Sequence, residues 1–512
     1  MGESVDLFVI GGGVNGTAIA RDAAGRGLSV MLCEKGDLAS ATSSASTKLI
    51  HGGLRYLEYG EFRLVREALI EREVLLRAAP HIIRPMRFVL PYREGLRPAF
   101  LIRLGLFLYD HLGGRRLLPG SESIRLDRDP RGAALKPGFR RGFVYSDCRV
   151  DDARLVVLYA VDAAERGAVI RPRTTVEGAV REGKSWSIRV RDATGRQETV
   201  KARALVNATG PWVSRVRDHI EGAGPRQAAL RLVKGSHIVT RRLYEGDHAY
   251  ILQNTDGRVV FAIPYEGRFT LIGTTDIPCD EPPGTPTVSA AEIAYLCAAV
   301  NAYLGTAIGP GDIVWSYAGV RPLYDDQAAD ASAVTRDYVL KIDAAGGGAP
   351  LLSVFGGKIT TSRRLAEHGL GLLLRACGLD SPAWTASAAL PGGDIPDADF
   401  DAFLAVLRPH YPWLEGATLK RLAQAYGTRV RHILGRARSP RDLGEDFGGG
   451  LYEAELAHLV DVEWARSAED ILWRRSKLGL HLPAGSAERI ETWLAQRLRR
   501  SGGDAAAAAD RK

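Results

Sequence analysis

The chain has 512 residues, of which 46% are apolar and 25% charged, and its formal net charge is +8. That length exceeds one ordinary core and calls for two or three domains; the charge is too modest to argue for nucleic acid and suits an anionic substrate or an anionic membrane surface. Five scattered cysteines (Cys33, Cys148, Cys279, Cys297 and Cys377) make no CxxC pair and no metal-ligand spacing, which reads as a reducing compartment without a disulfide framework.

The first predicted element is an apolar strand over residues 5–10, with no basic leader or cleavage site ahead of it. "GGGVNG" follows at once, placing Gly11, Gly13 and Gly16 in a G-x-G-x-x-G spacing. A helix is expected through "VNGTAIARDAAGRG", stopped by Gly27, and then a strand "LSVMLCE" that ends on Glu34, 23 positions after Gly11. Glycines let backbone N–H groups approach a pyrophosphate at the helix N-terminus, and a carboxylate at that distance accepts from a ribose diol. A lone glycine triplet is weak evidence, but the ordered series of strand, glycines, helix, strand and acid predicts a dinucleotide site.

The next segment favours FAD over NAD. Thr42, Ser43, Ser44, Ser46 and Thr47 form a hydroxyl-rich loop able to reach cofactor phosphates and an isoalloxazine edge, and "HGGLRY" comes after it. Residues 95–118 carry Phe100, Leu101, Ile102, Leu104, Leu106, Phe107 and Leu108, flanked or interrupted by Arg93, Arg97, Arg103, Arg115 and Arg116. Such a stretch either lies in the headgroup region of an anionic bilayer or packs as an amphipathic helix, and both readings stay open. With no run of about 18 apolar residues, any membrane contact is expected to be peripheral.

Further along, "ARALVNATGPW" predicts a strand ending in a small-residue turn, with Ala208 and Gly210 beside the adenosine. "LVKGSHIV", at 232–239, places Lys234 and His237 inside an apolar strand, where residues three apart point to opposite faces. Gly235 and Ser236 are expected to bend it so that both side chains reach one cavity; the alternative is an edge strand with solvated charges. "RVVFAIPY" and "RFTLIGTTD" read as antiparallel strands joined by a turn. "LLSVFGGKITTSRR" then gives strand, Gly357 and a helix starting near Thr360, whose N-terminus suits the flavin N1–C2=O edge. After "PGGD" the pattern is helical, with Trp464, Trp473 and Trp493 expected in its core and "SGGDAAAAADRK" as a frayed tail.

The segments "IGGGVNGTAIARDAAGRG", "TSSASTKLIHGGLRYLE", "YSDCRVDDARL", "LVNATGPW", "VKGSHIV", "SYAGVRPL", "TRDY", "SVFGGKITTSRRLAEH" and "DLGEDFGGGLYEAELAHLVDVEWARSAEDILWRRSKLGL" resemble, in order from about residue 6 to 498, the FAD-dependent glycerol-3-phosphate dehydrogenases. The bacterial single-chain type is the one resembled. The resemblance implies an α/β and α+β architecture: an FAD-binding Rossmann-type domain (1–87, 142–220, 337–390) interleaved with an antiparallel-sheet substrate domain (88–141, 221–336). A helical domain (391–500) and a disordered tail (501–512) complete it. It implies oxidation of sn-glycerol 3-phosphate to dihydroxyacetone phosphate, with hydride passing to flavin N5 and electrons to a membrane quinone. The enzyme would be peripheral on the cytoplasmic side of the inner membrane, with a homodimer possible.

The residue roles follow the same resemblance. His237 is the base and Arg321 steadies the forming ketone; Arg55, Arg336 and Lys358 clamp the phosphate beside Tyr56. Lys234 has at most a supporting role, and His51 has none assigned. A dianionic phosphate does need fixed cations, and a secondary hydroxyl needs a base of near-neutral pKa. Two departures stand out, Ala18 in place of an expected glycine and Ser362 in place of an expected tyrosine. An oxygen-using oxidase of the same fold, acting on glycerol phosphate or an amino acid, and a non-catalytic flavin-binding scaffold remain as alternatives.

Overall fold

A computed structural model describes residues 4–93, 95, 97–224, 230–279, 284–324 and 337–509. The chain divides into two units, Met1–Leu390 and Pro391–Lys512. The first unit is built on two sheets. In one, Ser4–Ile10 lies parallel between Val30–Cys33 and Gln197–Asn207, and Leu351–Phe355 also runs parallel to Gln197–Asn207. Antiparallel strands Thr175–Glu182 and Ser185–Arg191 extend it. The central strands are buried on both sides, which is why they read as unbroken apolar runs. Helix Val14–Gly25 packs on this sheet beside helices Asp152–Glu165 and Ser362–Ala376. It ends as expected: Gly27, at φ +82°, donates to Ala24 O while Leu28 N reaches Ala23 O.

The other sheet is mostly antiparallel and centres on Leu230–Arg241, which pairs with Phe269–Gly273 on one side and Ile313–Tyr324 on the other. Ile238, Tyr250, Val260 and Ile272 pack against Leu296 and Val300 of helix Ala290–Asn301. Strand Arg141–Val150 pairs with Ile83–Pro91 within this second sheet. The cofactor segment expected to resume at 142 therefore resumes only after Val150; the run "GFVYSD" is apolar enough to suit either sheet, and pairing decides.

In the second unit, helices Phe400–Leu407, Gly416–Tyr426, Glu453–Asp461 and Ser486–Ala509 enclose a core rich in leucine and isoleucine, including Leu407, Leu422, Leu456, Leu459, Ile471 and Ile490. Trp473 and Trp493 are only partly buried at its rim, and Trp464 is half-buried outside it. Bulky indoles with a polar N–H favour that position: Trp493 Nε1 donates to Glu453 Oε1 at 3.1 Å. The last helix runs through residues expected as a tail, in keeping with the high helix propensity of its alanines.

Candidate active site

Parallel pairing of Ile10 with Cys33 and with Asn207 brings three strand ends together, and the glycine turn leaves from the middle one. Two of its glycines admit no side chain. A Cβ on Gly11, at φ +112°, would lie 2.7 Å from Ala208 O, and one on Gly16 would lie 2.0 Å from Gly11 O. Helix Val14–Gly25 starts at Gly13 with no side-chain cap from that residue; Val14 N–H donates instead to Ser43 Oγ at 3.0 Å. Glu34 accepts from Gly12 N (2.8 Å) and Gly36 N (2.7 Å). Burial lifts its carboxyl above the usual carboxylate range, against the pull of these two amides. A carboxylate has about four acceptor positions, so lone pairs remain for a ribose.

The cradle fits a dinucleotide by its own chemistry. Asn15 donates Nδ2 to Gly356 O at 3.1 Å, yet its buried Oδ1 has no hydrogen-bond partner among the described residues. Gly357, at φ +99°, closes on Asn15 so tightly that a Cβ would lie 2.9 Å from Nδ2, while the space around Gly210 is open. The hydroxyl loop divides its work. Ser43 stands at the helix N-terminus, Thr42 donates to Val320 O (2.7 Å), and Ser44 donates to Ala41 O (3.3 Å). Ser46 binds Asp152 (2.7 Å) and Thr47 turns to His237 (3.0 Å).

The strand carrying His237 is paired without interruption from Leu230 to Val239, and its register shifts only between Val239 and Thr240. Val233 faces Arg321, Gly235 faces Gly319 and His237 faces Tyr317 across one antiparallel ladder, so these residues share a sheet face. Lys234 and Ser236 point the other way, to Glu292 at 2.9 and 2.7 Å. The expectation that Lys234 and His237 reach one cavity is therefore corrected: the glycine makes room for a side chain and does not kink the strand. A Cβ on Gly235 would lie 2.1 Å from Arg321 Nη2.

His237 is 2% exposed. Its ring stacks on Tyr317, with centroids 4.8 Å apart and planes at 15°, while Nε2 meets Thr47 and the buried Nδ1 has no partner among the described residues. Burial, reinforced by the positive charges of Arg321 and Lys48, holds its pKa well below the ordinary imidazole value. The ring is thus neutral and able to accept a proton. Arg321 donates Nη2 to Thr274 Oγ1 (3.0 Å) and Thr275 O (3.1 Å) and pairs Nη1 with Asp276.

A third group of residues comes from the turn Leu54–Tyr59 and the loop around Gly357. Lys358 Nζ lies 3.9 Å from the Tyr56 ring centroid. Among the described residues, Arg55 makes only a long contact with Tyr59 Oη (3.4 Å), and its buried Nε–H has no partner. Thr360 accepts from His51 N at 3.2 Å, which joins the two loops. Ser362 is fully buried, bonds back to Ile359 O and sits 3.4 Å from Tyr159 Oη, while Ala18 is buried in the first helix. Arg336 lies outside the described residues.

Sequence reasoning missed the support beneath the histidine. Lys48 is buried, bonded to both Asp152 oxygens (2.8 and 2.9 Å), and 5.0 Å from the Tyr317 ring centroid. A lone lysine directly after a run of small hydroxyl residues was the available signal. The paired acids of "RVDDARL" were another: Asp151 caps the helix, and Asp152 turns inward. Nothing local marks Asn15 or Tyr317.

A family model described as FAD dependent oxidoreductase matches residues 6–363, and one described as the C-terminal domain of alpha-glycerophosphate oxidase matches 383–501. The chain is 53% identical over 495 residues to a glycerol-3-phosphate dehydrogenase of Pseudomonas aeruginosa, covering 96% of each. It is 52% identical over 492 residues to a D-erythritol 1-phosphate dehydrogenase of Brucella abortus, covering 96% of this chain and 98% of that one. Among solved structures, the glycerol-3-phosphate dehydrogenase of Bacillus halodurans complexed with FAD is similar with a TM-score of 0.75 at 26% identity, covering 97% of this chain and 95% of that one.

Proposed function

We propose, from the premise that this chain belongs to the FAD-dependent glycerol-3-phosphate dehydrogenase family, that it oxidises the C2 hydroxyl of sn-glycerol 3-phosphate to dihydroxyacetone phosphate and passes the electrons to a membrane quinone. The observation that carries this reading is a buried His237 on the same sheet face as Arg321, beside a glycine cradle that fits FAD. FAD, when bound, supplies the hydride acceptor. His237 takes the hydroxyl proton, and Thr47 fixes the ring through Nε2. Arg321 holds the oxygen on which charge builds as the ketone forms. Arg55, whose Nε–H has no partner among the described residues, Lys358 and Arg336 bind the phosphate, and Tyr56 places Lys358. Gly11, Gly13, Gly16, Glu34, Ser43, Ala208, Gly210, Gly357 and Thr360 hold the cofactor in this reading.

The electron acceptor fits a surface feature. Helix Ala99–Leu112 buries Leu106 and Tyr109 but exposes Phe100 (74%), Leu101, Leu104 and Phe107, beside Arg103. Among the described residues no helix is long and apolar enough to cross a membrane. This face lies in the headgroup region of an anionic bilayer on the cytoplasmic side of the inner membrane, close to a lipid-dissolved quinone. Replacing Phe100, Leu104 and Phe107 with serine should release the chain from anionic vesicles and spare activity with a soluble dye. Full pelleting of a folded triple variant would place the membrane face elsewhere.

A second reading, D-erythritol 1-phosphate as substrate, is favoured by the 52% identity to the relative of that name. Both substrates are polyol phosphates, so the same clamp serves either. Anaerobic mixing with each in turn, watching flavin absorbance, and then admitting oxygen or a quinone, decides substrate and acceptor together. Bleaching by neither compound would defeat both readings.

A further inference from the structure

The face of strand Leu230–Arg241 turned away from His237 holds a carboxylate for which the reaction has no use. Glu292, in the first turn of helix Ala290–Asn301, is 2% exposed. Its Oε1 accepts from Ser236 Oγ (2.7 Å) and Thr275 Oγ1 (3.0 Å). Its Oε2 accepts from Ser289 N and Oγ (2.9 Å each) and lies 2.9 Å from Lys234 Nζ. A capping box needs only the Ser289 contacts and works at a protein surface. The remaining three donors tie a strand and a loop to this one side chain.

Thr275 connects the two faces. Its hydroxyl accepts from Ser236 N–H (3.0 Å), and its carbonyl accepts from Arg321 Nη2 (3.1 Å). Thr274 Oγ1 takes the same Nη2 at 3.0 Å, and Asp276 pairs with Nη1. The side chains of residues 274–276 thus alternate: those of Thr274 and Asp276 hold the guanidinium, and that of Thr275 reaches back to Glu292. Burial raises the Glu292 carboxyl, but Ser289 N–H, the Lys234 ammonium and the hydroxyls of Ser236 and Ser289 outweigh it and leave its pKa at about 2. The anchor is charged throughout the range in which the enzyme would work.

We propose that Glu292 is a positioning residue for Arg321, acting through Thr275 from the opposite face of the sheet. The proposal rests on the role given to Arg321 above. It is tested on holoenzyme carrying Glu292→Gln, Thr275→Val or Arg321→Ala, and on the Glu292→Gln/Arg321→Ala double variant. Thr275→Val keeps the carbonyl that Arg321 touches, so the question survives if Glu292→Gln does not fold.

At saturating sn-glycerol 3-phosphate, anaerobic flavin reduction should slow about 10-fold in either single anchor variant, the scale of one charged hydrogen bond. Arg321→Ala should slow it roughly 10²–10³-fold. Adding Glu292→Gln to Arg321→Ala should slow it no further, because nothing is left to position. FAD content and the melting temperature of the FAD-free chain separate this effect from general loosening. Slowing that multiplies in the double variant, or wild-type reduction in both anchor variants, overturns the proposal. Wild-type reduction in Arg321→Ala would strike at the role of Arg321 itself, and the role of Glu292 would fall with it.

Discussion

The proposed cofactor cradle and the proposed substrate face are built from different materials. The cradle is backbone: Gly11 and Gly16 serve by having no side chain, and Gly12 N–H and Gly36 N–H face Glu34. The substrate face is side chain: His237, Tyr317 and Arg321 project from one ladder, and what each can do depends on which way it points. A site built largely of backbone is most sensitive at its glycines and at the few side chains that hold it, Glu34 and Ser43 among them. A side-chain site tolerates no change in orientation, and its support lies in residues that touch no ligand. The two halves should therefore fail differently, the first by losing the cofactor and the second by keeping it and losing the chemistry.

His237→Ala is the largest expected break on the substrate side. Flavin reduction should slow by roughly 10²–10⁴-fold, the usual scale for a lost general base, while FAD stays bound. Near-normal reduction at saturating substrate would remove His237 from the mechanism. Arg55→Ala and Lys358→Ala come next. Each should weaken substrate binding by about 1.5–3 kcal/mol, as a charged hydrogen bond is lost, with little effect on the saturated rate. Glycerol, which has no phosphate, should be a very poor substrate; equal efficiency with its phosphate would remove the clamp.

On the cradle side the expected failure is of the other kind. In Gly16→Ala the new methyl would overlap Gly11 O, costing about 1–3 kcal/mol as the first helix is pushed from its strand. The protein should purify with little flavin, and added FAD should restore reduction only in part. A Gly16→Ala enzyme with full flavin but slow chemistry would erase the contrast between the two halves.

The same contrast explains what the sequence made legible. Glycine is itself the signal of a backbone site, so Gly11, Gly16 and Gly357 were readable along with the strand and helix around them. A strand's period of two is equally readable, yet "LVKGSHIV" does not say which face is which. Gly235 invited the idea of a bend, and only pairing with Gly319 shows that it clears space for Arg321. Lys48 and Asp152 are 104 residues apart, and Ser236 and Glu292 are 56 apart. Side-chain pairs made by tertiary folding leave no periodic trace. The C-terminal tryptophans misled for a related reason: size argued for the core, while the indole N–H of Trp493 drew that ring to the rim beside Glu453.

The smallest expected effect concerns protonation, and it tests whether the substrate face is as closed as its geometry says. Burial holds the His237 pKa well below 6.5, with Arg321 and Lys48 adding to the shift. In the unfolded chain the imidazole returns to a value near 6.5. Above that pH neither state carries the proton and His237 contributes nothing to pH dependence. Below it, the unfolded chain binds a proton that the native ring refuses, so stability falls as pH falls. His248, brought down to about 4 chiefly by burial and also by Arg131, acts with the same sign. Between about pH 7 and 5.5 each histidine should remove about 1 kcal/mol. His237→Asn should therefore lose less stability over that interval than the wild type, by about that amount, and His248→Asn should do the same independently. Thermal unfolding of the three proteins at the two pH values reads the difference. Equal acid sensitivity in His237→Asn and wild type would mean that the native ring takes up its proton at an ordinary pKa. A ring that titrates as it does in water would not be in the dry surroundings that its burial describes, and the distinction between the two halves would be lost.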